Sequence, residues 1–528
     1  MGALTLKSFP FELRGWDIEK LESIDPTDGF GSATRVYVNK DQIVQIEPDF
    51  NIHSSNTWLT DKGRQFFDGI FGVWNLSDKN NITEVWSNII KSITQTLYLF
   101  EHCQKHQSNN NFFIIVFENL SLELLSIITI LAQTKSFIKL RRAENLKINN
   151  DLETNLQLNL TSQKTKFNTS TLCLLVSNNP RYEGYHLNLN LRQRHLKGNF
   201  KCLIIGSLID LTFPVSFLGS NFNILKTIVE GNNLLCQKFK SSQNPMVILN
   251  YELLKRNDIK ENLEILKIFK YANMSNLTWN SLNMLNSSLS ETGTQSLNKF
   301  SPLNHKDLTN FSLLHFLNVT ASNIPNLNKI TELKLLNYKN ITTNNLILDQ
   351  NYKINNNINF SHHINSKHYI HLPSSLFYEN EETFINTEGF IKKTRKLIFR
   401  KKTKNNWQIL RRIFKHLHKN IVFLNDKNNN LIFFNSKKIL NFKNYINFHY
   451  QATQTLTNLN FYLNTKNKNF VILNNVSNFK QKKLKLKITK LKYWLDDFFQ
   501  GGKDEYSQNS LVLSNCSKIL RTKSTNFF

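Results

Sequence analysis

The sequence predicts an α/β protein built on a parallel sheet, and residues 172–219 carry this prediction. Two short, wholly apolar runs, 172–176 and 202–205, have the composition of strands covered on both faces. Between them, Leu187 and Leu191 recur at helical spacing, and Gly198-Asn199 follows the last turn. A strand, a helix and a second strand in this order predict a right-handed crossover between parallel neighbours.

The loops after these two strands are the candidate functional loops. In open parallel sheets, ligands bind at the carboxyl ends of the strands. Residues 177–181 and 206–212 follow the two predicted strands directly. These two loops are therefore where we first expect residues that could bind a ligand.

Other elements follow from local patterns. The apolar runs 34–38 and 42–46, separated by Asn39-Lys40-Asp41, predict a hairpin. The segment 112–132 is the most apolar in the chain, but Glu118 and Glu123 interrupt it, which disfavours a membrane span. It predicts a strand over 112–117 and a helix over 122–132, with Ser121 as the N-cap.

The composition points to an organellar gene and a basic surface. Among 528 residues, Asn, Lys and Phe are abundant and Gly is scarce, as an AT-rich coding sequence produces. The 66 Lys and Arg against 39 Asp and Glu give a net charge of +27, which suits a polyanionic partner. The charge is spread along the chain, however, and this favours the alternative that the lysines simply cover an ordinary solvated surface. The most basic runs are 391–404 and 480–492, whose alternation predicts exposed edge strands.

The five cysteines do not form a metal-binding pattern. No two of them lie within the few residues that separate the ligands of a metal clip, so we expect no iron–sulfur or zinc site made by this chain alone. Cys173 and Cys202 lie inside the two apolar runs and are expected to be buried.

Several motifs resemble one family. Glu22-Ser23-Ile24-Asp25, Asp28 and Gly31-Ser32 are followed by 58–62 (WLTDK), Arg64 and 67–69 (FDG). In this order they resemble the large iron–sulfur subunit of NADH:ubiquinone oxidoreductase (complex I), at the start of its molybdopterin-oxidoreductase-like half. The resemblance continues through these segments: 179–183 (NPRYE), 205–207, 210–212, 245–249, 256–258, Trp279 with Asn283 and Leu285 at a helix start, 313–317 as a strand, 386–389 (NTEG), Trp407 heading a helix, 497–499, Ser507 and Cys516.

The resemblance implies a molybdopterin-oxidoreductase-like fold, with parallel sheets, flanking helices and a small β-rich N-terminal subdomain. We expect this subdomain over 1–75, the α/β core over 76–400, and a basic C-terminal helix and strand region with a tail over 401–528. The core contains an Asn-rich insertion near 325–360, which we expect to be a surface loop or poorly ordered.

The candidate loops lack the groups that a pterin dinucleotide needs. Ser177-Asn178-Asn179 offers no glycine, and 207–212 offers no Arg or Lys to meet a phosphate. Phe390 stands where the family usually carries Arg. The resemblance therefore implies a chain that has lost the pterin. Arg181 and Glu183 are either remnants of a ligand grip or local pairing groups of the following helix.

We assign no catalytic, cofactor-binding or metal-binding residue. The histidines His362, His363, His368 and His371 form a possible metal group, but no acidic or cysteine ligand is close in sequence. We expect no cofactor in this chain, and we expect the iron–sulfur clusters and FMN in partner subunits.

The resemblance implies a structural subunit of the NADH-oxidising peripheral arm of complex I, supporting electron transfer to ubiquinone coupled to proton translocation. The chain would belong to the enzyme NADH:ubiquinone reductase without being catalytic by itself. The expected partners are a separate cluster-bearing N-terminal half of the same subunit and other peripheral-arm subunits, on the matrix side of the mitochondrial inner membrane. Two alternatives remain: an organellar RNA-binding protein and an active molybdopterin oxidoreductase.

Overall fold

The computed structural model describes most of the N-terminal region, the centre of the chain and the extreme C-terminal region. The described residues are 13–49, 58–69, 112–116, 120–134, 138–143, 164–207, 209–256, 258–259, 281–289, 291–297, 300–304, 313–319, 346–351, 369–398, 404–419 and 505–525, with the single residues 9, 265, 279 and 307.

Strands and helices alternate through the described part of the chain. The strands are β1 (Glu19–Ile24), β2 (Ala33–Asn39), β3 (Gln42–Pro48), β4 (Phe112–Val116), β5 (Ile138–Arg142), β6 (Leu172–Val176), β7 (Lys201–Ile205), β8 (Ser216–Gly219), β9 (Met246–Asn250), β10 (Leu282–Leu285), β11 (Ser301–Pro302), β12 (Leu313–Leu317), β13 (Leu346–Asn351), β14 (Tyr369–Pro373), β15 (Thr383–Ile385) and β16 (Ile391–Lys393). The α-helices are α1 (Asp61–Gln65), α2 (Leu122–Thr134), α3 (Lys164–Thr169), α4 (Pro180–Glu183), α5 (Tyr185–Leu196), α6 (Asn223–Val229), α7 (Leu235–Ser241), α8 (Glu291–Leu297), α9 (Asn406–Lys419), α10 (Glu505–Asn509) and α11 (Leu511–Thr525).

Strands β1, β2 and β3 form a small antiparallel sheet, which we call the N-terminal lobe together with α1. The predicted hairpin is confirmed, and Lys40 at its tip has a φ of 52°, in the left-handed region. Phe66 of the lobe packs against Tyr378 and Tyr506, and Leu513 of α11 lies in the same buried cluster. The core of the lobe is therefore completed by residues from the far end of the chain.

A six-stranded parallel sheet has the order β11-β5-β4-β12-β13-β14. The predicted strand and helix in the segment 112–132 are confirmed as β4 and α2, and the backbone N–H of Leu124 donates to Ser121 Oγ at 3.4 Å. The predicted helix headed by Trp407 is α9, which packs on α2. The expectation for 325–360 is wrong at β13, because the short apolar run Leu346-Ile347-Leu348 pairs with β12 and β14. The rest of that insertion lies outside the described residues.

A five-stranded parallel sheet has the order β10-β9-β6-β7-β8. The predicted crossover is confirmed, since β6 and β7 pair in parallel, with Leu172 opposite Lys201 and Val176 opposite Ile205. The connecting helix is divided at Gly184 into α4 and α5. The helix start expected around Asn283 and Leu285 is wrong, because 282–285 is the strand β10; it is buried along its whole length and pairs with β9.

Both large sheets are covered on their faces, as their continuous apolar strands require. Cys173 and Cys202 are buried, as expected, and lie opposite each other on β6 and β7. Among the described residues, no helix is both long and apolar enough to cross a bilayer. The α/β fold class, with parallel sheets and a β-rich N-terminal region, is confirmed.

Candidate functional site at the carboxyl edge of the five-stranded sheet

The loop after β6 ties three strand ends together. Ser177 has a φ of 54°, and its backbone N–H donates to the Ile205 carbonyl at 2.8 Å. Asn178 Nδ2 donates to the Ile248 carbonyl at 2.8 Å, and Asn250 Nδ2 donates to the Ser177 carbonyl at 2.9 Å. The loop is therefore joined to β7 through its backbone and to β9 through the side chains of Asn178 and Asn250.

Arg181 and Glu183 pair with groups of the chain itself. Arg181 Nη1 donates to Asp210 Oδ2 at 2.9 Å, in an exposed ion pair. The pKa of Asp210 is lowered chiefly by the backbone N–H of Thr212, with a further contribution from Arg181. The Glu183 carboxylate accepts from the Asn179 N–H at 3.1 Å and from Asn250 Nδ2 at 3.0 Å. The structure therefore supports the second interpretation of Arg181 and Glu183, in which both side chains pair with groups of the chain itself.

The loop between β1 and β2, residues 25–32, lies on the carboxyl ends of β6 and β10; we call it the wedge loop. Its Phe30 is only 5% exposed and shares a core cluster with Leu175, Leu187 and Leu285. A Cβ added at Gly184 would lie 3.2 Å from the Phe30 ring. The wedge loop thus packs at the carboxyl edge of the sheet, where open parallel sheets bind their ligands.

The wedge loop is also fixed from a third element. The backbone N–H and the hydroxyl of Thr387 donate to the Gly29 carbonyl at 2.8 and 2.6 Å, and Asn386 Nδ2 donates to the Phe30 carbonyl at 3.2 Å. A Cβ at Gly29 would lie 2.3 Å from the Asn286 carbonyl oxygen, so only glycine permits this approach.

A serine, a histidine and a carboxylate meet at this loop, but in an order that does not activate a nucleophile. Ser32 Oγ donates to Asp28 Oδ2 at 2.5 Å and lies 2.8 Å from His186 Nε2. Because the Ser32 hydroxyl donates its hydrogen to Asp28, His186 Nε2 must carry a hydrogen and donate it to Ser32 Oγ. Burial, and secondarily Lys392, lowers the pKa of His186 to about 3, so the ring is neutral. A nucleophilic triad requires the carboxylate on the histidine, whereas here the serine stands between them.

Other predicted candidates lie apart from this edge. His362, His363 and His368 fall outside the described residues, and His371 lies in β14 of the other sheet. Two cations of the basic run 391–404 form ion pairs: Lys393 Nζ lies 3.6 Å from Glu381 Oε1, and Arg395 Nη2 lies 3.4 Å from Glu22 Oε2. The predicted edge strand within this run is confirmed as β16, whereas 480–492 lies outside the described residues.

The family is decided by comparison with known sequences. The Molybdopterin oxidoreductase family matches residues 86–416, which is more than half of the chain. This chain belongs to the molybdopterin oxidoreductase family. A second family, described as NADH-ubiquinone oxidoreductase NDSU1/NuoG-like, 4Fe-4S domain, matches residues 18–68, which cover the wedge loop and most of the N-terminal lobe.

The curated relatives are respiratory subunits. The chain is 26% identical over 443 residues to the NADH-ubiquinone oxidoreductase 75 kDa subunit of Reclinomonas americana, covering 80% of this chain and 61% of the relative. It is 24% identical to the mitochondrial 78 kDa subunit of Neurospora crassa, covering 79% and 54%. It is also 26% identical to a subunit of the NADH-quinone oxidoreductase of Rickettsia typhi, covering 56% and 43%. The chain is thus homologous to the 75/78 kDa subunit, and it spans about three fifths or less of the length of these relatives.

The match over 18–68 corrects one expectation. The expectation that this chain holds no cofactor is contradicted, because the segment belongs to a domain family named for a 4Fe–4S cluster. Such clusters are held by cysteine thiolates, and residues 18–68 contain no cysteine. The two buried carboxylates of the wedge loop, Asp25 and Asp28, accept hydrogen bonds from the loop itself. These residues do not fit cysteine coordination of a cluster, and we assign no electron-transfer step to them.

The described edge also does not fit a pterin dinucleotide. Phe30 occupies the apolar space beside β6 and β10, and Arg181 is paired with Asp210. A Cβ at Gly206 would lie 3.3 Å from Ser177 Cα, so the loops after β6 and β7 pack directly on each other. A diphosphate needs free N–H groups or guanidinium groups at such a position, whereas the Ser177 N–H is bonded to the Ile205 carbonyl and the Arg181 guanidinium to Asp210.

Sequence reasoning missed the residues that close this edge, chiefly Phe30, His186 and Thr387. The motif around Asp25, Asp28 and Gly31-Ser32 is visible in the sequence, but it carries no indication of its contact across the chain. The paired glycines Gly29 and Gly31 are the available signal. Closely spaced glycines often mark a backbone that approaches another element.

Proposed function

We propose that this chain is a structural subunit of the peripheral arm of complex I, and that its role is to hold the arm's architecture rather than to bind substrate. The observation that carries the proposal is the wedge loop. The chain belongs to the molybdopterin oxidoreductase family, and its own Phe30 packs at the carboxyl edge of the five-stranded sheet, where open parallel sheets bind their ligands. The homology to the 75/78 kDa subunit supports the assignment to complex I.

We further propose that the N-terminal lobe contacts a partner subunit, and that this partner is a separate polypeptide corresponding to the cluster-bearing N-terminal half of the relatives. Two large aromatic side chains near the lobe support this: Trp16 is 79% exposed and Trp58 is 64% exposed. Tryptophans are enriched at protein interfaces, where one side chain can contribute much of the binding energy. The matrix side of the mitochondrial inner membrane is the corresponding location.

We also propose the three-part division into 1–75, 76–400 and 401–528. The lobe supports the first unit and the two parallel sheets support the second. The boundaries themselves are best tested by limited proteolysis, which cuts first in exposed segments between folded units.

The proposed function is tested on gently solubilised mitochondrial membranes separated on native gels and stained for NADH dehydrogenase activity. Peptide mass spectrometry should find this chain in the active high-mass band, in equal amount with the partner subunits. Its presence with ribosomes or free RNA, released by raising the salt concentration, would instead support the RNA-binding alternative. Stoichiometric molybdenum or tungsten in the purified chain would support an active oxidoreductase.

A further inference from the structure

The wedge loop buries two carboxyl groups, and their surroundings differ. Asp28 is fully satisfied as an anion: Oδ1 accepts from the backbone N–H groups of Gly31 at 2.7 Å and Ser32 at 3.3 Å, and Oδ2 accepts from Ser32 Oγ. Asp25 accepts on one oxygen only, since Oδ1 receives the N–H and the hydroxyl of Thr27 at 2.8 and 2.7 Å. Among the described residues, Asp25 Oδ2 has no hydrogen-bond partner.

Asp25 Oδ2 receives no hydrogen bond from the described groups around it. Two buried hydroxyls in this region, those of Tyr378 and Thr34, interact with each other. Tyr378 faces Asp25 closely enough for the carboxylate charge to contribute to a raised pKa of its phenol, after the larger effect of burial. Oδ2 also lies against α1, because a Cβ at Gly63 would be 2.1 Å from it. A buried carboxylate oxygen without a donor costs free energy, and protonation lowers this cost because it removes the buried charge.

We propose that the buried pair Asp25 and Asp28 holds a single proton below neutral pH, carried on Asp25 Oδ2, and that this proton helps to fix the wedge loop to the body of the chain. Loss of the proton to solvent places two carboxylates inside one eight-residue loop, where they repel each other. The packing of the loop and its hydrogen bonds from Asn386 and Thr387 must then hold it in place against this repulsion. The pair acts as a proton-dependent latch.

The charged and titratable groups that face the latch come from every element packed on it. Lys62 of α1 stabilises the Asp25 anion, while burial and Asp28 oppose ionisation; burial is the largest influence and raises the pKa of Asp25 to about 7. Burial likewise raises the pKa of Asp28, although its hydrogen bonds oppose this. The other groups are Arg64 on α1, Tyr185 and His186 on α5, Tyr378 and, near His186, Lys392 on β16.

Deprotonation of Asp25 makes the free energy of unfolding depend on pH. Between the ordinary value of 3.8 and about 7, folded Asp25 holds a proton that the unfolded chain has released. The free energy of unfolding therefore falls as pH rises through this interval, and this contribution levels off above it. Hydrogen exchange of the wedge-loop amides, including those of Gly31 and Ser32, should accelerate over the same interval beyond the intrinsic pH effect.

The direct test is infrared difference spectroscopy of the full chain between about pH 5 and about pH 8. We expect a protonated carboxylic acid band that disappears near neutral pH in the native protein and is absent in Asp25→Asn. The Asp17→Asn variant is the matched control, since Asp17 is exposed in the preceding helical turn, and it should keep the band. Persistence of the same band in Asp25→Asn, or its absence from the native protein, would overturn the proposal.

A second variant keeps the test decisive if Asp25→Asn does not fold. Lys62→Met removes the cation that favours the Asp25 anion, so the pH at which the band disappears should move upward. An unchanged midpoint in a folded Lys62→Met protein would contradict the latch. The test does not depend on assembly into a complex, so its outcome is separate from that of the proposed function.

Discussion

Arg142 and Glu291 form a buried ion pair, with Arg142 Nη2 lying 2.6 Å from Glu291 Oε2. The arginine is the last residue of β5 in the six-stranded sheet, and the glutamate is the first residue of α8, shortly after β10 of the five-stranded sheet. Arg142 Nη1 also donates to Thr294 Oγ1 at 3.1 Å, and its guanidinium lies over the Tyr251 ring. This pair connects the two sheets.

Removing one partner of this pair should be costly. Glu291→Gln keeps the shape but leaves the buried guanidinium without its counter-charge, and we expect a loss of about 3–5 kcal/mol in the free energy of unfolding. Chemical denaturation of the full chain measures it. Asp210→Asn is the matched control, because it breaks only the exposed pair with Arg181 and should leave the free energy of unfolding nearly unchanged. Equal effects of the two variants would show that the buried pair has no special role.

Phe30→Ala should weaken the attachment of the N-terminal lobe. It removes a ring from the cluster that includes Leu175 and Leu285, with an expected cost of about 3–5 kcal/mol. Limited proteolysis should cut the wedge loop faster than in the native protein. Phe390→Ala, which truncates a half-exposed ring, is the control and should leave the cleavage rate nearly unchanged.

Gly29→Ala tests the close approach of the wedge loop independently of its side chains. The new Cβ would meet the Asn286 carbonyl oxygen at 2.3 Å and Thr387 Oγ1 at 2.6 Å, so the backbone must shift. Such overpacking costs about 1–3 kcal/mol. Gly15→Ala, where a Cβ would meet no atom within 4 Å, should be neutral or slightly stabilising. Thermal unfolding compares the two, and a neutral Gly29→Ala would exclude this packing.

Asn386→Ala should reduce assembly without changing turnover per assembled complex. Asn386 Oδ1 accepts from the N–H groups of Glu388 and Phe390, and Nδ2 donates to the Phe30 carbonyl. Alanine leaves these backbone groups unpaired, at a cost of about 1–3 kcal/mol. The measurement is the amount of complex on a native gel and its NADH oxidation rate per complex. Normal assembly with a large loss of specific turnover would refute the structural role.

The elements that the sequence predicts well are those with strong local signals. The run 172–176 is a continuous apolar strand, and Asn39-Lys40-Asp41 has the polar residues that are typical of a turn, with Lys40 itself in the left-handed position. The composition of 325–360 predicts a loop where the structure has β13, because the apolar run of this strand is only three residues long and its neighbours are rich in Asn. Around Asn283 and Leu285 a helix start is predicted where the structure has a strand, because a buried strand of four residues is too short to show a periodicity of its own.

The sequence predicts where the candidate site lies but not which residues pack there. The topology rule gives the carboxyl edge of β6 and β7, and the lack of Arg and Lys in residues 207–212 indicates a poor fit to a phosphate. What fills the edge depends on contacts between residues 30, 186, 286 and 387, and a single sequence does not record which distant residues meet. The iron–sulfur family of residues 18–68 is not predictable from ligand spacing, because such domains are recognised by cysteines that this segment lacks.

The placement of the wedge loop has a consequence for biosynthesis. The Gly29 carbonyl receives its hydrogen bonds from Thr387, 358 positions later, and the lobe's core includes Tyr506 and Leu513. Contacts so distant in sequence form late, because the intervening chain must be synthesised and its ends brought together. The N-terminal lobe is synthesised before these residues and is therefore among the last elements of the described structure to be completed. Until then its apolar face is exposed, and this interval is when a chaperone or an assembly partner would have most to protect.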